Sequence, residues 1–465
     1  MENNVKKLNS GANPLGTESI GKLIMQFSIP AIVSNLVNAA YNLVDQVFIG
    51  NGIGLLGIAA TNIAFPLAII TAAIGYLLGT GGAANFSLRL GAGNKEAADR
   101  YAGNMLCMMA ISGLSLGAAA LIFARPLVFA FGATEATKTM ALSYMSIIAI
   151  GMPFGIFTIG ASALIRADGS PKYAMICMLS GAIFNLIFDP VFMFLFGWGI
   201  KGIAWATTLG QALTAGIAVY YFIERAKNVS LKKRYFRLNP HLLENICALG
   251  LTPCINQLAI AVMQIVTNNT LRYYGAASMY GSDIPLGGAG AVAKLSALFL
   301  AFAAGIAQGC QPIHGFNYGA KKYDRVKQTL RLALISAGVL SVTIFLLFQI
   351  FPRTLLIIFG ENDPLYLEFA ERYLRIFMFM IFLSGVQPIA ATFFPAIGRA
   401  GRGVLLALTR QILLLLPLML ILPFFFGLDG VFYAGPGSDF GAACFSAWMI
   451  AAEIKKISAL QRINI

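Results

Sequence analysis

The chain has 465 residues, of which 58% are hydrophobic and only 11% are charged, and its formal net charge is +14. A soluble protein is expected to carry about 25% charged residues, so this composition excludes an ordinary water-soluble domain. An outer-membrane barrel would show segments of about ten residues with alternating hydrophobicity. The chain instead contains long, predominantly apolar runs, such as residues 404–427, which predict membrane-spanning helices.

Few residues suit catalysis or metal binding. The six cysteines lie in or beside apolar runs without a Cys-x-x-Cys pair, which favours packing roles. The two histidines, His241 and His314, are too few for a metal cluster. Residues 1–19 are polar and lack the apolar core of a cleavable signal peptide, so we expect an N-terminal cytoplasmic tail. We therefore predict neither an enzyme centre nor a cofactor.

The apolar runs can be counted, since a membrane span needs roughly 20 apolar residues. Cutting at charged residues and at clusters of Gly, Pro and Asn gives twelve predicted spans. Their limits are 20–49, 55–88, 98–124, 137–165, 172–196, 202–224, 241–272, 285–317, 323–351, 365–396, 403–426 and 438–456.

Lysine and arginine are distributed unevenly between the segments that connect these spans. If both termini lie on one side, that side holds 25 of the 33 basic residues and the opposite side holds seven. Because basic residues concentrate in cytoplasmic segments, both termini are predicted to be cytoplasmic. The longest polar connection, the central linker, is then expected to lie against the anionic inner leaflet. This asymmetry explains the net charge without a nucleic-acid partner.

Four short segments of the first half recur in the second half, in the same order and at nearly one offset. FARPLVFAFGATEA, for example, starts at Phe123 and resembles FPRTLLIIFGENDP, which starts at Phe351. A repeat of six helices, an even number, gives two halves of the same orientation, related by an axis along the membrane normal. We predict an N-lobe at 20–224, the basic central linker at 225–240, a C-lobe at 241–456 and a cytoplasmic C-terminal tail at 457–465.

Only two of the 19 acidic residues, Asp45 and Asp189, lie well inside the predicted spans. An ionised carboxylate there costs at least about 2.5–3.5 kcal/mol, so such residues are functional candidates unless they make a structural bond between helices. The constant rise per residue of a helix places both in the outer half of the bilayer. Asn185 lies one turn before Asp189 on the same helix face, and Thr207 lies at a similar depth in the next span.

These four residues, Asp45, Asn185, Asp189 and Thr207, are predicted to form an oxygen-rich pocket in the N-lobe. Two carboxylates close together in a low dielectric raise each other's proton affinity, whereas a cation between them lowers it. The pocket is therefore a candidate proton or Na⁺ site. Carboxylates serve both ions, so the sequence does not separate them.

The predicted C-lobe has no equivalent carboxylate inside its spans, so ion coupling is expected in the N-lobe alone. Its polar residues within the spans are mainly amides, and Asn256, Gln257 and Lys294 are candidates for a substrate cavity. Lys294 can either line the cavity or extend its ammonium group to the membrane surface.

Several segments resemble the multidrug and toxic compound extrusion (MATE) transporters. They are YNLVDQVFIG, RADGSPKYAM, NLIFDPVFMFLFGWGIKGIAWAT and FNYGAKKYDRVK, in matching order within residues 20–456. The nearest likeness is to the prokaryotic branch of exporters related to DinF and to MepA-type efflux pumps. The resemblance implies an all-α integral membrane protein with twelve transmembrane helices in two six-helix lobes. It also implies export of cationic or amphipathic compounds by exchange for Na⁺ or H⁺.

The resemblance also implies roles for individual residues. Asp45, Asn185, Asp189 and Thr207 match the N-lobe cation site of that branch, and Tyr41 matches a neighbouring tyrosine of the cavity. MATE proteins with acidic residues in the C-lobe differ from this chain. The expected partners are small amphipathic or cationic molecules and membrane lipids, and the expected setting is a monomer in a prokaryotic inner membrane.

Other classes of membrane protein fit less well. A major facilitator also has two six-helix halves, but the loop RLGAGNKEAADR after the second span is a poor match to its signature. A lipid-linked sugar flippase of the same superfamily usually has extra spans or a strongly basic cavity. A membrane enzyme needs a buried catalytic cluster, and a passive channel needs a repeated selectivity ring. A lipid-linked or other solute exporter or flippase of the same superfamily stays the alternative.

Overall fold

The computed structural model describes residues 13–281, 283–357 and 363–463. These residues form helices with short connections, and no strand occurs among them. A helix satisfies its backbone hydrogen bonds internally, which is the requirement for long apolar runs in lipid.

The N-terminal half contains six long helices. The fifth and the sixth end in π-helical turns at Val191–Leu195 and Tyr221–Arg225. A short helix, Ala124–Ala130, follows the third. The six are α1 (Ile20–Gly52), α2 (Leu55–Gly91), α3 (Lys95–Ile122), α4 (Lys138–Ala167), α5 (Pro171–Leu195) and α6 (Ile200–Arg225).

The C-terminal half repeats this arrangement with two irregular members. The tenth helix is bent by 42° between two segments, and the eleventh contains a π-helical turn at Thr409–Leu415. A short helix, Pro352–Ile357, follows the ninth. The six are α7 (Pro240–Ala276), α8 (Asp283–Gly319), α9 (Tyr323–Ile350), α10 (Pro364–Phe377 and Ile381–Ala396), α11 (Ala400–Phe426) and α12 (Leu428–Ile463).

In the described part of the chain, ten of these helices are each long and apolar enough to cross a membrane, and the bent α10 adds an eleventh. The twelfth long helix, α12, has 36 residues. This corresponds to about 54 Å of helix, which is long enough to cross a membrane. Its buried acids Asp439 and Glu453 are paired with arginines, which lowers the cost of placing them in the protein interior. The predicted fold class, an all-α integral membrane protein with twelve transmembrane helices in two six-helix lobes, is confirmed.

α12 is longer at both ends than the sequence predicts. The predicted span was 438–456, whereas the helix begins at Leu428, because the glycine-rich stretch LDGVFYAGPG is helical. A β-carbon at Gly430 or Gly435 would lie 2.4 Å from the backbone of a neighbouring helix. These glycines therefore permit close packing and do not form a turn. The predicted tail at 457–465 is helical as far as Ile463, and residues 464–465 lie outside the described residues.

The described part of the predicted N-terminal tail, residues 13–19, packs against the C-lobe. The side chain of Leu15 is buried, and its carbonyl oxygen accepts hydrogen bonds from Asn317 Nδ2 at 2.9 Å and Arg325 Nη2 at 3.1 Å. Residues 1–12 lie outside the described residues. The segment before α1 thus joins the start of the N-lobe to α8 and α9.

The central linker is docked on the N-lobe through Asp168, which follows α4 and is fully buried. Its Oδ1 accepts the backbone N–H groups of Asn228 at 2.6 Å and Val229 at 2.9 Å. Its Oδ2 accepts the backbone N–H of Lys227 at 2.7 Å and the hydroxyl of Tyr221 at 2.5 Å. Charge-assisted bonds of this kind are about twice as strong as neutral ones, so the linker is held as part of the N-lobe.

The duplication predicted from sequence is visible in the backbone. Gly199 before α6 has φ 55° and ψ −133°, and Gly427 before α12 has φ 58° and ψ −136°. Four residues of the N-lobe with positive φ have counterparts in the C-lobe at nearly the same offset: Gly54 and Gly281, Gly93 and Lys321, Gly169 and Gly398, and Gly199 and Gly427. The two lobes therefore share their connections as well as their helix order.

The lobes meet closely where α2 and α8 end, at the side of the chain termini. A β-carbon at Gly91 would lie 2.0 Å from the carbonyl oxygen of Phe316, and one at Gly319 would lie 2.1 Å from that of Leu88. Gly91 and Gly319 are separated along the chain by the same offset as Leu88 and Phe316. Equivalent residues of the lobes thus contact each other reciprocally, as across a two-fold axis. We call these four residues the glycine seal.

The hydrophobic cores differ between the two ends of the molecule. At the terminus side, one core joins Leu23 and Phe27 of α1 to Ile313 of α8. At the opposite end, the N-lobe core around Met145 and the C-lobe core around Phe369 are separate. The lobes are therefore joined at the terminus side and separate at the other.

Candidate functional site

Three helices of the N-lobe bring the predicted polar residues together. Asp45 lies on α1, Asn185 and Asp189 lie on α5, and Thr207 lies on α6. Asn185 Nδ2 donates hydrogen bonds to Asp189 Oδ1 at 3.2 Å and to Thr207 Oγ1 at 3.1 Å. The carboxyl groups of Asp45 and Asp189 lie within range of each other's charge. We call these four residues the N-lobe cluster.

The local sequence of α5 explains the position of its two polar residues. Asn185 and Asp189 are one turn apart and are 3% and 0% exposed. Pro190 follows at once, and because it has no N–H it cannot complete the regular hydrogen-bond pattern. The helix continues as a π-helical turn from Val191 to Leu195, a feature often found at functional sites. The aspartate is thus fixed where the regular helix ends.

Three oxygen atoms of the N-lobe cluster are buried without a hydrogen-bond partner among the described residues. They are Asp45 Oδ1, Asn185 Oδ1 and Asp189 Oδ2. Leaving a buried polar atom unsatisfied costs about 1–3 kcal/mol, and more for a charged group. All three are acceptors, and oxygen acceptors are the ligands that hard cations prefer. The arrangement can therefore hold a proton or a small cation.

Two tyrosines lie within electrostatic range of both carboxylates. Tyr41, which the family resemblance singled out, lies on α1 beside Asn38 and Asn42. Tyr144 on α4 is close to Asp45, Asp189 and Tyr41, and sequence reasoning missed it. The sequence does indicate that Tyr144 lies at the depth of the cluster. It lies in the second turn of a helix that starts at the end opposite the termini, as Thr207 does in α6.

The remaining predicted residues lie in the other lobe. Asn256 and Gln257 are half-buried on α7, and Lys294 is exposed on α8. These positions do not belong to the N-lobe cluster, which is built from α1, α5 and α6. Their contribution to a substrate cavity stays a prediction.

The expectation that the C-lobe has no intramembrane carboxylate is wrong. Asp439 is 3% exposed and lies well inside α12, and its Oδ1 accepts a hydrogen bond from Arg410 Nε at 2.6 Å. The sequence puts this residue at the start of a predicted span, because the preceding glycines and proline predict a connection. The guanidinium balances the charge of this carboxylate. The two lobes therefore contain different acidic sites, one unbalanced and one paired.

Comparison with known proteins identifies the family of this chain. The sequence profile of the MatE family matches residues 30–191 and 254–421, one stretch in each lobe and more than half of the chain together. The chain belongs to the MatE family. It is a multi-pass membrane protein of a multidrug-efflux transporter family, of the MepA-like kind.

Two similar proteins are multidrug export proteins named MepA. The one from Staphylococcus haemolyticus (strain JCSC1435) is 24% identical over 418 residues, which cover 90% of each chain. The one from Staphylococcus aureus (strain MRSA252) is 25% identical over 415 residues, which cover 89% of each chain. The similarity thus extends over nearly the whole length of both proteins.

Solved MATE structures have the same fold. A MATE protein in complex with MaL6 aligns with a TM-score of 0.90 at 22% identity, covering 96% of this chain and 99% of that one. An outward-facing multidrug resistance MATE transporter of the MOP superfamily aligns with a TM-score of 0.89 at 22% identity, covering 96% and 98%.

Proposed function

We propose that this MATE transporter exports cationic or amphipathic compounds from a prokaryotic cell by antiport with Na⁺ or H⁺. The observation that carries the proposal is the N-lobe cluster, with two interacting carboxyl groups and three buried, unpartnered oxygen atoms. The protein acts as a monomer in the cell membrane with both termini in the cytoplasm, and it needs no cofactor. Tyr41, Asn256, Gln257 and Lys294 contribute to substrate binding.

The electrostatics of the cluster favour a site that binds a cation. Two ionised carboxylates close together in a low dielectric repel each other, so a proton or a Na⁺ ion bound between them is stabilised. Asn185 uses its N–H donors to orient Asp189 and Thr207, which leaves carboxylate and amide oxygens for the ion. Binding of one monovalent cation lowers the negative charge of the cluster from two to one, whereas release restores both negative charges in the N-lobe.

Transport follows if the ion-bound and ion-free forms of the cluster favour different arrangements of the lobes. The lobes are joined at the terminus side, as in a state that is open to the outside. In this outward-open state, ion binding at the N-lobe cluster favours release of the exported compound. Rearrangement then exposes the cavity to the cytoplasm, where the ion leaves and the next compound binds. One charge that crosses 100 mV supplies about 2.3 kcal/mol, roughly fifty-fold accumulation.

The test is dye efflux in proteoliposomes with Na⁺ and pH gradients imposed separately. We expect one gradient to drive efflux in the natural protein, and Asp45→Asn or Asp189→Asn to abolish it because each removes a carboxylate from the cluster. Asp324→Asn is the matched control, since the side chain of Asp324 is 75% exposed, and it should transport normally. Gradient-driven efflux by both cluster variants at the natural rate would refute ion coupling at this site.

A further inference from the structure

Hydrogen bonds to α3 hold the central linker in place, so the face of the linker that points away from the N-lobe has a fixed position. Asn104 on α3 binds the linker at two points: its Nδ2 donates to the carbonyl oxygen of Tyr235 at 3.1 Å, and its Oδ1 accepts the backbone N–H of Asn239 at 2.8 Å. Asp99, five residues earlier, accepts the backbone N–H of Ser230 at 2.9 Å. The two ends of this segment are therefore fixed to one helix.

The fit between the linker and α3 is close. A β-carbon at Gly103 would lie 2.4 Å from the carbonyl oxygen of Tyr235, so only glycine allows this approach. The ring of Tyr235 is 4% exposed and packs inward. Its neighbour Arg234 contacts Glu96, which also pairs with Arg100. The inner face of the linker is thus satisfied by the N-lobe.

The outer face combines basic and apolar side chains. Phe236 and Leu238 are 38% and 42% exposed, although both are large and apolar. Exposed basic residues precede them, and Arg237 lies between them. We call this face the linker surface, and it consists of Lys232, Lys233, Phe236, Arg237 and Leu238.

The position of the linker surface along α3 gives its depth. Residues 105–122 of α3 contain no charged side chain, and a helix of that length spans about 27 Å, close to the ~30 Å thickness of the hydrocarbon core. Asn104, which binds the linker at Tyr235 and Asn239, directly precedes this run. The linker surface therefore lies at the boundary between the hydrocarbon core and the lipid headgroups.

We propose that the linker surface binds anionic phospholipids of the leaflet that it faces. Lys232, Lys233 and Arg237 carry the charge complementary to lipid phosphate, and each basic residue near an anionic surface contributes roughly fivefold in affinity. Phe236 and Leu238 insert between the headgroups, as the apolar residues of interfacial segments do. The binding is independent of ion coupling at the N-lobe cluster. It attaches the N-lobe to the leaflet, because the linker is docked on that lobe.

The test compares two lipids on the purified full-length protein in detergent. Dioleoyl phosphatidylglycerol and dioleoyl phosphatidylcholine are added in increasing mole fraction, and the melting temperature is measured. We expect phosphatidylglycerol to raise the melting temperature at a lower mole fraction than phosphatidylcholine does. The titration midpoint is the mole fraction of lipid that gives half of the full rise in melting temperature. In the variant Lys232→Gln/Lys233→Gln/Arg237→Gln, this mole fraction should rise by at least about tenfold for phosphatidylglycerol, since three basic groups are removed. For phosphatidylcholine it should stay the same.

A matched control has the same charge change on α12. Lys455, Lys456 and Arg462 are exposed, and Lys455→Gln/Lys456→Gln/Arg462→Gln should keep the natural preference for phosphatidylglycerol. Equal loss in both triple variants would show a general effect of net charge and overturn the proposal. Equal responses of the natural protein to the two lipids would also overturn it.

Two further measurements do not depend on the folding of the triple variant. Raising NaCl from 0.1 M to 1 M shortens the screening length from about 10 Å to about 3 Å, so the lipid preference of the natural protein should shrink. Phe236→Ser/Leu238→Ser keeps the charge and should weaken the response to both lipids. A lipid preference that is unchanged in 1 M NaCl, or one that millimolar inorganic phosphate reproduces, would contradict binding to lipid headgroups.

Discussion

Thr207 and Thr214 lie two turns apart on α6 and differ in what their hydroxyl groups bind. Thr207 Oγ1 accepts the amide of Asn185 in the N-lobe cluster, whereas Thr214 Oγ1 donates to the carbonyl oxygen of Gly210 in its own helix. Removing the first hydroxyl leaves a buried amide donor unsatisfied, at a cost of about 1–3 kcal/mol. Removing the second breaks only a local bond.

We therefore expect Thr207→Val to weaken binding of the coupling ion by about tenfold, because about 1.4 kcal/mol corresponds to that factor. The measurement is the ion concentration for half-maximal efflux in proteoliposomes. Thr214→Val is the control and should leave that concentration unchanged. The same half-maximal concentration in Thr207→Val as in the natural protein would separate Thr207 from the ion site.

The ion pair of Arg410 and Asp439 gives a prediction about stability. The side chain of Asp439 is 2% exposed and that of Arg410 is 20% exposed, so Arg410→Met leaves a buried carboxylate without its partner. Breaking a buried pair on one side costs about 3–5 kcal/mol, while replacing both members with apolar residues is often neutral. Thermal unfolding should show a strongly destabilised Arg410→Met variant and recovery in Arg410→Met/Asp439→Leu. A double variant as unstable as the single one would show that the pair matters for another reason.

At the level of residues, the sequence predicted the members of the N-lobe cluster because carboxylates are rare in apolar runs. The same reasoning missed Asp439, since the glycines before it looked like a connection. It also missed Tyr144, because tyrosines are common in membrane helices and only the fold shows which of them faces a carboxylate. Asp168 lies in a connection, where an acid usually faces water, and its burial depends on the linker that folds over it.

At the level of elements, the linker is held by backbone hydrogen bonds to Asp168. Asp168→Ala removes the acceptor for three N–H groups, so the linker should detach. Its backbone is then free to enter the active site of trypsin at Lys232, Lys233 and Arg234, whose side chains are already exposed. We expect cleavage to be at least about tenfold faster, since exposure of a docked segment follows its opening free energy. Glu96→Gln is the control, because it alters exposed side-chain pairs and keeps the backbone bonds. Equal cleavage of both variants would contradict the role of Asp168.

The helices themselves were largely predictable from length and hydrophobicity, because lipid admits little else. The residues at which the helices begin and end were less predictable. α12 starts well before its predicted position because Gly430 and Gly435 pack against neighbouring helices, a tertiary reason that glycine content alone does not reveal. The bend of 42° in α10 and the π-helical turns in α5, α6 and α11 also depend on packing between helices.

At the level of the whole molecule, the glycine seal joins the lobes at the terminus side. Gly91→Ala places a methyl group 2.0 Å from the Phe316 carbonyl oxygen, and Gly319→Ala places one 2.1 Å from that of Leu88. Both changes favour the helix itself by up to about 1 kcal/mol, so any loss of closure comes from the contact. Gly338→Ala on α9 is the control, since nothing lies within 4 Å of the added carbon.

The readout is maleimide labelling of Cys310, which is 1% exposed on α8, in a chain whose other cysteines are alanine. With reagent on the terminus side, Gly91→Ala and Gly319→Ala should each speed labelling by about fivefold, as expected for a shift of about 1 kcal/mol between states. Gly338→Ala should not. Unchanged labelling in both seal variants would show that the lobes close without these contacts.

The reciprocity of the glycine seal bears on the origin of the chain. Leu88 and Gly91 of one lobe meet Phe316 and Gly319 of the other, which is the pattern of an isologous contact between two copies of one protein. A six-helix ancestor had only to carry one such patch to pair with itself in a parallel homodimer. If two such copies are joined through a linker, the pairing becomes intramolecular and its effective concentration rises. The joined lobes can then differ in chemistry, and among the described residues only the N-lobe carries a pair of neighbouring aspartates without a basic partner.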